Sequence, residues 1–210
     1  MITVAPDGVT RERTEIDGVP VEWIIPDTAA RDGVLVYIHG GGYYQGSIDT
    51  YAPYVSRLAI ACGLKTIHMD YRLAPEHPFP MALNDAEAVV LHILTEHAAE
   101  VPLVIAGDSA GGGLTLATLI ALRDAGHPLP AAAALLSPWT DLTCSGESLR
   151  TNQATDPVIN SERTVKVAGW YADGTPLKHP LLSPHFANLA GLPPLLILAG
   201  AGSGKTRVIT

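Results

Sequence analysis

Polar and apolar positions alternate with a period of two in residues 10–16 and again in 19–25, and Asp17-Gly18 joins the two runs. That pattern predicts an antiparallel hairpin with one face turned to a core. Beyond it the pattern changes. Short, continuously apolar runs at 33–39, 65–70, 102–107, 131–136 and 194–199 are bounded by glycine, proline or charge, as expected for strands covered on both faces. Helical spacing fills most of the gaps: 51–62 repeats at Tyr54, Leu58 and Ala61, and 82–99 carries a stripe at Ala86, Val89, Val90, Ile93 and Leu94. Helices are also expected over 110–125 and 161–172. Strand and helix alternate through the middle of the chain, which predicts an α/β fold with a mostly parallel sheet, right-handed crossovers and helices on both faces.

Two glycine-rich stretches interrupt this pattern where strands end. In Gly107-Asp108-Ser109-Ala110-Gly111 an apolar run stops, a serine stands alone, and an Ala/Leu-rich helix begins at once. This is G-x-S-x-G, the nucleophile elbow: the sharp turn lifts a serine hydroxyl out of the sheet beside a helix N-terminus, where free N–H groups favour developing negative charge. His39-Gly40-Gly41-Gly42 follows a strand and lies 70 residues before Ser109, the position from which such folds supply further oxyanion donors. Glycines there provide backbone N–H groups without side chains that would crowd an acyl group. Taken alone, each stretch is equally readable as a plain glycine turn; together and in this order they point to acyl transfer.

With these two stretches, Asp70-Tyr71-Arg72-Leu73-Ala74-Pro75-Glu76-His77-Pro78-Phe79-Pro80 and Ser137-Pro138-Trp139-Thr140-Asp141-Leu142, the sequence resembles the hormone-sensitive-lipase-like esterases of the α/β-hydrolase fold over roughly residues 33–199. The resemblance implies hydrolysis of carboxylic esters with small acyl groups, with Ser109 as the nucleophile. It implies an oxyanion hole from Gly40, Gly41, Gly42 and the N–H of Ala110, and neither a metal nor an organic cofactor. Tyr43, Tyr44 and Asp108 are the candidate substrate-binding residues, with Trp139 a further aromatic at the same pocket. Residues 1–199 are expected to form the hydrolase domain, with a cap over about 138–192, and Arg72, Glu76 and His77 to brace their loop.

In this fold the acid and the histidine follow the serine in chain order, and the family places them after a strand equivalent to 194–199. Here no Asp, Glu or His follows Ala199. Asp141, Asp156 and Asp173, with His179 and His185, are the upstream acids and histidines, and they read as ordinary polar loop residues. The run from Ala199 to Thr206 instead fits a P-loop with alanine for its first glycine, and residues 198–210 resemble the nucleotide-binding motif of superfamily I DNA helicases. The expectation is a hydrolase sequence lacking its final strand and helix, joined to a foreign tail over 200–210, and crippled as an esterase. A catalytically silent binding module and a nucleotide-binding fragment are the alternatives.

Charge and composition remove other classes of partner and leave the small-molecule ester that the resemblance implies. A net charge of −8 over 210 residues argues against nucleic acid. A hydrophobic content of 47% suits a doubly covered sheet, yet no run reaches membrane-spanning length. The charged N-terminus does not read as a signal peptide, and two distant cysteines, Cys62 and Cys144, form no disulfide framework. These features lead to an expectation of a cytoplasmic protein.

Overall fold

A computed structural model of the chain describes residues 4–29, 31–96, 101–152, 154, 156 and 159–199. The hairpin forms as expected: β1 (Val9–Ile16) pairs antiparallel with β2 (Val19–Pro26). Asp17 and Gly18 both take positive φ, 50° and 80°, the conformation of a two-residue turn matched to strand twist. The other strands are β3 (Val34–Ile38), β4 (Lys65–Met69), β5 (Leu103–Asp108), β6 (Ala132–Leu136) and β7 (Leu195–Leu198). They complete a seven-stranded sheet ordered β1-β2-β4-β3-β5-β6-β7, parallel from β4 to β7 and antiparallel where β2 meets β1 and β4.

β3 shows why its run is continuously apolar. All five residues are buried, Val34, Val36 and Ile38 on one face and Leu35 and Tyr37 on the other, as the two-residue period of a strand requires. The first face packs against α2 (Met81–Glu96) and α3 (Ser109–Asp124), and the second against Val55 and Ala59 of α1 (Ile48–Cys62). The expected 82–99 helix thus ends at Glu96, and its last three positions lie outside the described residues. α1 begins three residues earlier than its apolar spacing suggests. Ser47 and Thr50 form a reciprocal capping box and Asp70 accepts the N–H of Ile48, so polar groups start this helix.

The chain leaves β3 through α1 to reach β4 on one side. It returns through α2 to β5 on the other, so the strand order reverses between β3 and β5. Ligands of open α/β sheets bind at such a switch point, beyond the carboxyl ends of the strands. Register makes the point local: Ile38 pairs with Gly107, and the next residues of both strands enter the two glycine-rich stretches side by side. The β6–β7 connection contains α4 (Glu147–Thr151), α5 (Ser161–Ala172) and a 3-10 turn (Pro184–Phe186). α5 matches its expected span, and it buries Val167, Ala168, Tyr171 and Ala172 in the main core. Among the described residues β7 pairs only with β6, and Leu196 and Leu198 remain 56% and 52% exposed.

Two glycines give opposite expectations. A Cβ on Gly111 would sit 2.1 Å from the carbonyl oxygen of Ile38, so α3 packs against β3 only because that atom is missing. Gly169 in α5 has open space around its Cβ position. Gly111→Ala is expected to cost several kcal/mol or abolish folding, and Gly169→Ala to stabilise by about 0.5–1 kcal/mol. Urea denaturation midpoints of the two variants check both signs.

Candidate active site

Ser109 follows the extended Asp108 (φ −108°, ψ 149°) and itself takes φ +52°. A non-glycine residue in the left-handed region is strained, and here the strain turns the chain from β5 into α3 within one residue. Trp139 braces the turn by donating its N–H to the Ser109 carbonyl at 2.7 Å. Ser109 faces a cavity of about 380 Å³ whose wall includes Gly41, Gly42, Tyr44, Asp108 and Trp139. Ala110, buried, opens α3 immediately after the serine.

The loop after β3 is folded tightly. Tyr44 and Gln45 both donate their N–H to the Gly41 carbonyl, at 3.3 and 3.1 Å. Gly41 has φ +116°, and a Cβ there would lie 1.9 Å from the Gln45 carbonyl oxygen, so only glycine closes this turn. Gly40 differs from the expectation. Its N–H donates to Asp108 Oδ1 at 2.8 Å, and Gly40 does not line the cavity, so this amide is committed to the elbow and not to an oxyanion.

Asp108 lines the cavity as expected, but both its carboxylate oxygens are engaged in the wall. Oδ1 also accepts from Tyr37 Oη at 2.9 Å, and Oδ2 accepts from Tyr51 Oη at 3.0 Å. Burial, followed by the facing Asp108 carboxylate, pushes both phenols upward, so both stay protonated donors. Asp108 thereby holds the glycine loop, β3 and α1 against the nucleophile strand. Neither tyrosine carries a local sequence signal for this role; only the fold brings residues 37, 51 and 108 together.

Tyr43 departs from the expected pocket position. It is 2% exposed, lies flat on Tyr171 at 3.8 Å between ring centroids, and is absent from the cavity wall. Its φ of +64° turns the ring into the core, whereas Tyr44 faces the cavity. Arg72 braces its loop as expected, through a bidentate pairing with the buried Asp85. The sequence pointed to a cap and a helix in the α4–α5 stretch but singled out none of the residues it supplies to the wall, Leu149, Ile159, Asn160, Arg163, Thr164 and Val167.

Of the upstream acids and histidines, Asp141 lines the cavity with Ser109, and Asp156, Asp173, His179 and His185 are not among its wall residues. Asp141 accepts from the N–H and hydroxyl groups of Thr143 and Ser145. Burial raises its pKa, and those hydrogen bonds outweigh burial, leaving it below the usual value. Asp156 caps the N–H of Ile159, and Asp173 ends α5. His179 lies against Phe79 and His185 against Phe186. Among the described residues, none lining the cavity is a histidine. The P-loop-like run over 200–210 lies outside the described residues. Cys62 and Cys144 are free thiols. No helix among the described residues is long and apolar enough to cross a membrane.

A family model described as the alpha/beta hydrolase fold matches residues 35–202. The chain belongs to the α/β-hydrolase fold family. An acetyl-hydrolase of Streptomyces hygroscopicus is 44% identical, over 86% of this chain and 60% of that protein. The carboxylesterase NlhH of Mycobacterium tuberculosis is 35% identical, over 93% of this chain and 62% of that protein. Among solved structures, an esterase from the bacterial hormone-sensitive lipase family superposes with a TM-score of 0.90 at 44% identity, covering 96% of this chain and 68% of that one. EstE5, soaked with ethyl alcohol, superposes equally well, with a TM-score of 0.90 at 41% identity over 96% of this chain and 68% of that one. The chain spans about 60% of the length of the curated relatives it matches.

Behind the glycine loop, His39 and His68 are fully buried and meet edge to face at 5.7 Å. Burial lowers both pKa values; the Gly40 carbonyl partly offsets this at His39, and His39 and Arg11 lower His68 further. The unfolded chain protonates both near pH 6.5, while the folded state resists. Their contribution to stability is therefore complete above about pH 6.5 and is lost as pH falls below it. Unfolding free energy is expected to drop as pH falls below about 6.5, most steeply through His68, whose slope approaches about 1.4 kcal/mol per pH unit, with a smaller contribution from His39. His68→Leu flattens that slope in urea titrations at stepped pH.

Proposed function

We propose that this chain carries the nucleophile and oxyanion half of a serine hydrolase acting on carboxylic esters of small acyl groups. The observation that carries the reading is Ser109, raised on a strained turn at the wall of a cavity that Gly41 and Gly42 also line. In this mechanism Ser109 Oγ attacks the ester carbonyl, and the alcohol leaves with a proton. Water then hydrolyses the acyl-enzyme, releasing the acid and restoring the hydroxyl. The N–H groups of Gly41, Gly42 and Ala110 stabilise the tetrahedral oxyanion, and the segment over about 138–192 caps the acyl pocket. A cavity of about 380 Å³ favours short acyl chains. The esterase and acetyl-hydrolase names of the relatives support the same chemistry.

The acid and the histidine of a triad follow the serine in chain order in this fold, and the relatives are longer than the share matched here. We place both partners in such a further segment. Residues 1–210 alone then retain the catalysis of binding and oxyanion stabilisation, about 10³–10⁴-fold over water. The cavity wall's lack of a histidine among the described residues also favours a second reading, a silent module that binds the ester without cleaving it.

A fluorophosphonate probe with peptide mass spectrometry separates the two. Slow modification that is selective for Ser109 over the other serines, lost in Ser109→Ala and slowed further by p-nitrophenyl butyrate more than by the palmitate ester, is the expected result. Labelling no faster at Ser109 than at the other serines, or labelling that survives Ser109→Ala, overturns the hydrolase reading.

A further inference from the structure

The cavity mouth carries a feature that the esterase reading leaves unused. Arg163, Lys166 and Trp170 are spaced three and four residues apart on α5, so they share one helix face. Tyr44 reaches this face from the glycine loop. Arg163 lies over the Tyr44 ring at 5.5 Å and donates to its hydroxyl. Tyr44 meets Trp170 edge to face at 5.7 Å, and Lys166 lies over Trp170 at 5.2 Å. The result is a continuous ladder of cation, ring, ring and cation. Its inner end, Arg163 with Tyr44, is part of the cavity wall, and both cations are solvent-exposed.

The charges on this ladder are uncompensated. Ion pairs among the described residues engage Arg11, Arg13, Arg72 and Arg123, and neither Arg163 nor Lys166 appears in one. Glu162 precedes Arg163 in the chain without pairing to either cation. The carboxylates elsewhere in the wall, Asp108 and Asp141, accept from neutral N–H and O–H groups of their own surroundings and pair with neither cation. In a chain of net charge −8, Arg163 and Lys166 set two positive charges at the rim of a cavity whose other charged wall residues, Asp108 and Asp141, are acidic, so the rim is the part of the site that favours an anion. Stacking on Tyr44 also pre-orients a guanidinium whose remaining N–H groups match an oxyanion.

We propose that this rim binds an anionic group of the substrate, so that the preferred esters carry a carboxylate or similar oxyanion remote from the scissile carbonyl. The inference rests on the esterase reading and names its substrate class. Arg163 is the specificity-determining residue, Lys166 adds charge, and Tyr44 and Trp170 hold the two cations in place.

Binding without turnover tests it. The full chain is titrated with 4-acetamidobenzoate and with its neutral carboxamide, following the Trp170 indole resonance. The carboxylate is expected to bind about tenfold more tightly than the carboxamide at low salt, with the preference shrinking in 0.5 M NaCl. Arg163→Gln with Lys166→Gln brings the preference to within about twofold of parity. Arg163→Lys retains part of it. Lys178→Gln, which removes a cation stacked on Phe186 elsewhere, leaves it intact. A wild-type preference near one, or a preference that survives the double substitution in a protein of unchanged thermal melt, overturns the proposal. Because no ester is cleaved, failure of Ser109 to react leaves this result standing, and the absence of a charge preference leaves the nucleophile untouched.

Discussion

One half-buried carboxylate ties the site together. Asp108 accepts the amide of Gly40 from the loop after β3, the phenol of Tyr37 from β3 and the phenol of Tyr51 from α1. These contacts span the gap where the strand order reverses, so they fix the glycine loop relative to the residue that precedes the nucleophile. Gly111 acts from the other side: the missing Cβ lets α3 lie against the carbonyl of Ile38. A short aspartate and an absent methyl group thus set the distance between Ser109 and the amides of Gly41 and Gly42. Taking a carboxylate even partly out of water is costly unless its oxygens are satisfied. Three donors satisfy this one, and the same three bonds hold its neighbours in register.

The hairpin, the mostly parallel sheet and most helix spans were legible in the sequence because they follow from periodicity and from a doubly buried sheet. Where the reading fell short, the cause was nonlocal. The start of α1 is set by Ser47, Thr50 and Asp70, which are polar and leave no trace in apolar spacing. Tyr43 and Tyr44 are adjacent and chemically identical, and only the positive φ at Tyr43 decides which ring enters the core. Gly40 was grouped with its neighbours because all three lack side chains, yet its amide is spent on a residue 68 positions away. A cap and α5 were expected over the α4–α5 stretch, but its wall residues were not picked out, and α4 is too short to leave a pattern.

The cavity therefore has two chemically distinct ends. Its floor is built from a strained serine, backbone amides and fully bonded carboxylates, all rigidly supported by the sheet. Its mouth is built from α5, whose buried face anchors in the core through Val167 and Tyr171 while its outer face presents cations on aromatic rings. Core packing and the exposed cations lie on opposite faces of one helix, so substitutions on the outer face are separable from the packing that shapes the floor.

The central claim is that the Ser109 hydroxyl and the glycine-loop amides converge on a single point. A crystal structure of the chain with a phosphonate bound at Ser109 tests this directly. The account predicts the phosphoryl oxygen within about 3 Å of the N–H groups of Gly41, Gly42 and Ala110, with the Gly40 amide still on Asp108. A phosphoryl oxygen turned to solvent, or an adduct formed at another serine, would contradict it.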